Sequence, residues 1–490
     1  MSVPYFSVVY HTVMLNFIDN VLCHFESCFS RKASFRWFVA ITIGLMLRSD
    51  KLGVTSVIRD LALSPHCYDS MIHFFRASSW SLDTIRECWF SAVKKFSPLY
   101  KEGNFFVLVG DGVKQSKEGR RMPGVKKLFQ ESENSAKPEY IHGHMFGGLG
   151  ILAGSIRSWA CIPLSIRLHD GLQAAREWKG ASVSASSHVV QMVEDAYHAA
   201  KTFGDCLLLL DRYFLTVPAL ETLAALNRSG AVRMEVVTKA KQSCTAFEKP
   251  GPRKPGRGRP PKKGSAVHLK ELFVSRRSLF LETQMELYGK KETIRYYSID
   301  LLWGQKLYQE LRFVLVEMGG IESILASTSL ELDPLSIIRL YGYRFRIECT
   351  FRELKQQIGA FCYHFWSKHM PKLNYYQKRG EAGSLEQVAD EKGRNNILKA
   401  VRATEMHMAL SCVAIGILQS LSIHFAGELE SSHLRYQRTP ARGRVSEAAL
   451  MQYLRKYFFL FMDKQPGLRI TQIIRMQQDK SGVYWDSLAS

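Results

Sequence analysis

Two short apolar runs, each ending on an aspartate, constrain the fold of this chain most. N-F-F-V-L-V-G-D (104–111) and D-C-L-L-L-L-D (205–211) are too short for buried helices and too continuously apolar for half-exposed edge strands, so both read as strands covered on both faces. Tyr140 to Ala153 and Ser158 to Leu168 supply two further strand-like segments. Ser186 to Phe203 then carries Val189, Val190, Met192, Val193, Ala196 and Tyr197 at helical spacing and leads straight into the second run. Parallel strands joined by a crossover helix present ligand groups at their carboxyl ends. If these two strands are neighbours, Asp111 and Asp211 converge, and two carboxylates that close require a cation between them. Taken singly, each aspartate reads equally as a strand-end turn residue or a helix N-cap.

A third acid stands in Y-G-Y-R-F-R-I-E-C-T-F-R-E-L-K (341–355). On one continuous helix, Tyr341, Arg344, Glu348 and Lys355 fall at about 0°, 300°, 340° and 320°, inside one narrow stripe. Leu340, Ile347, Phe351, Leu354 and Ile358 form an apolar face beside it. A glutamate flanked by cations suits a site that handles metal and phosphate, the carboxylate holding Mg²⁺ and the guanidinium and ammonium gripping phosphates. A solvated helix face laced with ion pairs gives the same pattern.

Composition narrows the partner. Lys and Arg outnumber Asp and Glu 66 to 45, a net charge of +21, which points to a polyanion such as nucleic acid or, less well, an anionic membrane surface. Trp37 to Leu47 is too short to span a bilayer, and Ala409 to Gly427 is interrupted by Ser411, Gln419, Ser420, Ser422 and His424. Both read as buried helices, so no membrane association is expected. The ten cysteines are scattered without paired ligand spacing, as in a reducing cytoplasm, and no secretion segment is evident at the N-terminus.

The ordered acids Asp111, Asp211 and Glu348, with Tyr341-xx-Arg344-xxx-Glu348-xxxxxx-Lys355 and Asp211-Arg212-Tyr213-Phe214, resemble the DDE transposases of bacterial insertion sequences, specifically the family named for insertion sequence four with its Y-R-E-K signature. The resemblance covers roughly residues 105 to 365. It implies an α/β multidomain protein with a ribonuclease-H-like catalytic core, interrupted by a β-rich insertion and flanked by helical N- and C-terminal regions. It implies Asp111, Asp211 and Glu348 as catalytic metal ligands for Mg²⁺, with Mn²⁺ as a substitute and two ions per site. Arg344 and Lys355 are implied as phosphate clamps and Tyr341 as a backbone contact beside a distorted DNA end. The implied function is cut-and-paste transposition by end cleavage and strand transfer. Its partners would be double-stranded transposon ends and target DNA, bound by a homodimer in a synaptic complex in the bacterial cytoplasm, at the nucleoid.

On this reading, residues 1–98 form a helical DNA-binding region, 99–241 the first part of the core, 242–330 the insertion, 331–375 the second part with the signature helix, and 376–490 a helical C-terminal region. The stretch between Asp211 and Glu348 is far longer than a crossover needs, and its strand-like runs favour an insertion independently of the family. Trp303 lies within it. Related enzymes hold a flipped base on an aromatic there, although a buried strand tryptophan fits the position as well. Two basic segments remain. K-P-G-P-R-K-P-G-R-G-R-P-P-K-K-G (249–264) must be extended, and Arg257 and Arg259 within it resemble a minor-groove hook, or else belong to a plain linker. After Asp111 come Lys114, Lys117, Arg120, Arg121, Lys126 and Lys127, opposed only by Glu118, which read as a loop on DNA phosphates or as solubilising charge. The rival readings are an inactive, domesticated transposase that only binds DNA and a different metal-dependent phosphoryl-transfer enzyme.

Overall fold

In the computed structural model the described residues are 5–51, 53–130, 136, 138–155, 158–178, 187–251, 261–287, 289–376, 384–425 and 445–478. The chain is a mixed α/β protein that divides into two compact units. One comprises residues 1–99, 112–185 and 349–490, and the other residues 100–111 and 186–348.

The first unit is organised by the helix Glu391–His424. Asp390 caps it, accepting from the Gly393 N–H at 2.6 Å. The helix is long and apolar enough to cross a membrane, yet 89% of its most apolar window is buried inside the protein. Helices Lys32–Leu47 and Leu82–Phe96 and the strand Ser158–Leu168 pack on it. Trp89 ties two of these together, its Nε1–H donating to the Pro163 carbonyl at 2.8 Å. The N-terminal helices therefore share a core with the C-terminal ones. Strand Tyr140–Ser155 pairs antiparallel with Ser158–Leu168 and with Lys126–Phe129. All ten cysteines are free.

The second unit starts as a parallel sheet. Phe105–Ser116, which belongs to this unit as far as Asp111, pairs in parallel with Cys206–Leu209, and that strand with Met234–Ala240. Helices His188–Phe203 and Val217–Ser229 supply the connections. Beyond Met234–Ala240 the sheet becomes antiparallel, through Ile321–Ser327, Gln309–Met318, Lys290–Trp303 and Leu281–Leu287. One face of this part buries Leu311, Phe313 and Leu315, alternate residues of Gln309–Met318, together with Phe273 and Ile324, and Val314 and Val316 on the other face of that strand are buried as well. The strand-like runs expected after residue 278 are thus strands of this antiparallel half. Arg277–Leu279 is a single 3-10 turn ahead of them.

Candidate active site

The parallel ladder sets the first two acids. Val107 faces Leu207, Leu108 faces Leu208 and Val109 faces Leu209, and the same offset carries Asp111 to the level of Asp211. Gly110 leaves room just before Asp111, since a Cβ there would stand 2.7 Å from the Met192 sulfur and 2.8 Å from Leu210 Cδ2 and both side chains would have to shift. Past the second strand, Asp211 opens the 3-10 turn Arg212–Phe214. The Asp211 carbonyl accepts from the Thr238 hydroxyl at 2.9 Å and from the Phe214 N–H at 3.0 Å, so its backbone is held from two sides.

The third acid arrives on a broken helix. Asp333 caps Pro334–Tyr343, accepting from the Ser336 N–H at 3.1 Å with Pro334 in the first turn. Glu102 fixes this helix: it accepts from Arg339 at 2.6 Å and from the Ser336 hydroxyl at 2.9 Å, and it also bonds the Tyr100 hydroxyl. The helix stops at Tyr343, a new one runs over Arg346–Glu353, and a π-turn spans Leu354–Ile358. The single continuous helix expected over 341–355 is therefore corrected. Gly342 weakens the helix ahead of the break. At the break, 3-10-type bonds replace α-helical ones: Arg344 N–H to Tyr341 O at 3.1 Å and Glu348 N–H to Phe345 O at 3.1 Å. Gly359, at φ 61°, closes the π-turn in the left-handed region. The apolar face survives these changes, with Leu340, Ile347, Phe351, Leu354 and Ile358 all buried.

The break aims Arg344 into the acids. Its Nη1 lies 3.0 Å from Asp111 Oδ2 and its Nη2 2.6 Å from Glu348 Oε1, and Tyr341 Oη lies 3.5 Å from Asp211 Oδ1. Burial alone would lower the Arg344 pKa, but the charges of Asp111, Tyr341, Asp211 and Glu348 outweigh it and raise the value above the ordinary one. Asp111, Asp211, Glu348, Arg344 and Tyr341 thus form one electrostatic cluster within the second unit. Here the guanidinium expected to clamp phosphates is the counter-ion of two of the acids.

Among the described residues no group of three or more His, Cys, Asp or Glu side chains is arranged to hold a metal ion. At this cluster the guanidinium lies between the Asp111 and Glu348 carboxylates. The donor set nevertheless fits a hard divalent cation: it consists of carboxylates with neither sulfur nor imidazole, and it already gathers around a positive charge contributed by the chain.

The other expected site residues are placed differently. Lys355 lies in the π-turn, in the first unit, exposed and with Nζ 5.5 Å from the Phe361 ring centre. Trp303 is partly buried against the Leu311 and Phe313 core. Lys126 pairs with Asp170 at 2.5 Å, and Lys127 sits 4.4 Å from the Tyr140 ring centre. Arg257 and Arg259 lie outside the described residues. Lys117 is a correction to the basic loop. It is buried, its Nζ donates to the carbonyls of Phe361 at 2.6 Å and Tyr363 at 2.9 Å, and burial lowers its pKa to about 8. It braces the fold from inside and is not part of an exposed basic loop. The Glu102 bracket was missed because Ser336 and Arg339 lie over 200 positions away. The Asp333-Pro334 cap was visible in the sequence as an N-cap followed by proline.

A family described as DDE superfamily endonuclease matches residues 24–286, a span that contains Asp111 and Asp211 and ends before Glu348. No curated protein matches the chain. Asp111 and Asp211 both follow directly on the parallel ladder, although the strand of Asp111 runs on to Ser116 and does not end on the acid as expected; with the family match over more than half of the sequence, the chain belongs to the DDE superfamily endonuclease family.

Proposed function

We propose that this endonuclease is a transposase of the insertion-sequence-four type, which excises an element at its terminal inverted repeats and joins it to target DNA. The observation that carries this reading is the register of Asp111 with Asp211, with Glu348 tied to Asp111 through Arg344. The parallel strands with their crossover helices support a ribonuclease-H-like core, and the antiparallel strands between Thr245 and Ser327 support an insertion within it. Asp111, Asp211 and Glu348 would hold a pair of Mg²⁺ ions, with Mn²⁺ able to replace them. Such ions, when bound, activate water or a DNA 3′-hydroxyl and stabilise the leaving oxygen in an in-line phosphoryl transfer.

The chain's own part is positioning. Tyr341, beside Asp211, contacts the backbone next to the scissile phosphate. Arg344, once the acids have another counter-charge, turns its guanidinium to a non-bridging phosphate oxygen. Lys355 contributes a second cation, and a homodimer pairs the two element ends in the nucleoid. The net charge of +21 favours such a polyanionic substrate. The reading is tested by incubating the protein with linear DNA that carries the repeats flanking its own coding region. In Mg²⁺ the expected products are breaks at the repeat ends that leave 3′-hydroxyls; unchanged cleavage in EDTA, or cuts with no relation to the repeats, would reject it.

A further inference from the structure

Trp366 is an aromatic side chain with no buried role. It is 54% exposed, although its neighbours in the chain are firmly fixed. Phe365 packs on Phe75 with ring centres 5.2 Å apart, and the Ser367 N–H donates to the Arg121 carbonyl at 3.2 Å. The Leu373 N–H donates to the Arg120 carbonyl at 2.7 Å, and Arg121 Nη1 donates to the carbonyls of Lys368 at 2.8 Å and Met370 at 3.1 Å. The segment after Lys117 and the segment around Trp366 are therefore laced together within the first unit. Their common product is a braced backbone that leaves the indole exposed.

Trp366 separates two adjoining depressions, of about 400 and 260 Å³. Arg120, Arg121 and Lys372 line one, and Arg76, Lys368 and Lys399 line the other. No carboxylate is among the described residues lining either. A half-exposed indole would be a liability on an ordinary surface, and although Arg121 donates to the Lys368 and Met370 carbonyls and Arg120 lies over the Tyr375 ring, the described lining keeps an excess of positive charge that an anion would offset. The occupant that satisfies both features is a strand of DNA with one base unstacked onto the indole and its flanking phosphates among the cations.

We propose that Trp366, with the cations on either side, is a platform for an unpaired nucleobase of the DNA substrate. The proposal rests on the reading of the chain as a DNA-processing enzyme and names where a frayed or single-stranded end is held. It is tested with the full chain and two fluorescein-labelled duplexes, one blunt and one with a short 3′ overhang containing 2-aminopurine. Wild type should bind the overhang about tenfold more tightly than the blunt duplex, as one aromatic–base stack implies, and should quench the 2-aminopurine. Trp366→Leu should lose both the preference and the quench while binding the blunt duplex as before, and Trp366→Phe should keep most of each. If Trp366→Leu retains the preference and the quench, or alters only the oligomeric state, the platform is rejected while the DNA reading stands. If wild type binds neither duplex, the DNA reading fails and the platform with it.

Discussion

Asp111→Ala, Asp211→Ala and Glu348→Ala should each reduce divalent-metal-dependent DNA cleavage by about a thousandfold or more, the loss of several kcal/mol of transition-state stabilisation expected when a metal site is dismantled. The protein should remain folded. Asp111 and Glu348 are partly exposed, at 20% and 42%, and the Asp211 backbone is held through its carbonyl by Thr238 and Phe214 whatever its carboxylate does. Binding to end DNA should persist, since removing a carboxylate from a basic protein lowers repulsion with phosphate. The check is to measure gel-resolved cleavage rate and DNA affinity on the same preparations. Near-normal cleavage by any one variant would take that residue out of the site, and loss of folding would make it structural.

Arg344→Ala should have the next largest effect, and it should appear without DNA. The guanidinium is the counter-charge of Asp111 and Glu348, and it is largely buried, with only 14% of its side chain exposed. Removing one partner of a buried ion pair costs about 3–5 kcal/mol. Because Glu348 is substantially exposed and screened, about 2–3 kcal/mol is expected here. Metal-free Arg344→Ala should therefore melt several degrees lower than wild type, and Mn²⁺ should recover much of the difference and bind more tightly, having no guanidinium to displace. Cleavage should still fall about tenfold or more at saturating metal, because a charge-assisted phosphate contact is worth about 1.5–3 kcal/mol. Thermal melts, calorimetric Mn²⁺ titration and cleavage rates separate these effects. Unchanged melting and metal affinity would mean that Arg344 is no counter-ion, and full recovery of cleavage by metal would mean that it does not hold DNA.

These expectations rest on features that were unevenly legible in the sequence. Asp111 and Asp211 could be read because continuous apolar runs of strand length signal buried strands, and a helical period between them signals a crossover. The apolar face from Leu340 to Ile358 could be read for the same reason, and it is buried throughout. The break at Arg344 could not, because it accompanies an ion pair with Asp111, more than 200 positions earlier, which helical periodicity does not register. Lys117 looked like its neighbours in a basic run, and only its meeting with the Phe361 and Tyr363 carbonyls sets it apart. Trp366 was silent for a related reason: an exposed tryptophan and a buried one are the same letter until the segment around Arg120 is seen beside it. The N-terminal helices showed their amphipathic periods, but not that the Glu391–His424 helix would receive them.

On the proposed function, Asp111, Asp211 and Glu348 are ligands of one metal centre for DNA cleavage. Anomalous diffraction from crystals soaked in Mn²⁺ tests it most directly. Mn²⁺ density is expected against the carboxylates of all three residues, with the Arg344 guanidinium withdrawn from between Asp111 and Glu348. Ordered Mn²⁺ elsewhere in the protein, with Arg344 still bridging those two acids, would contradict it.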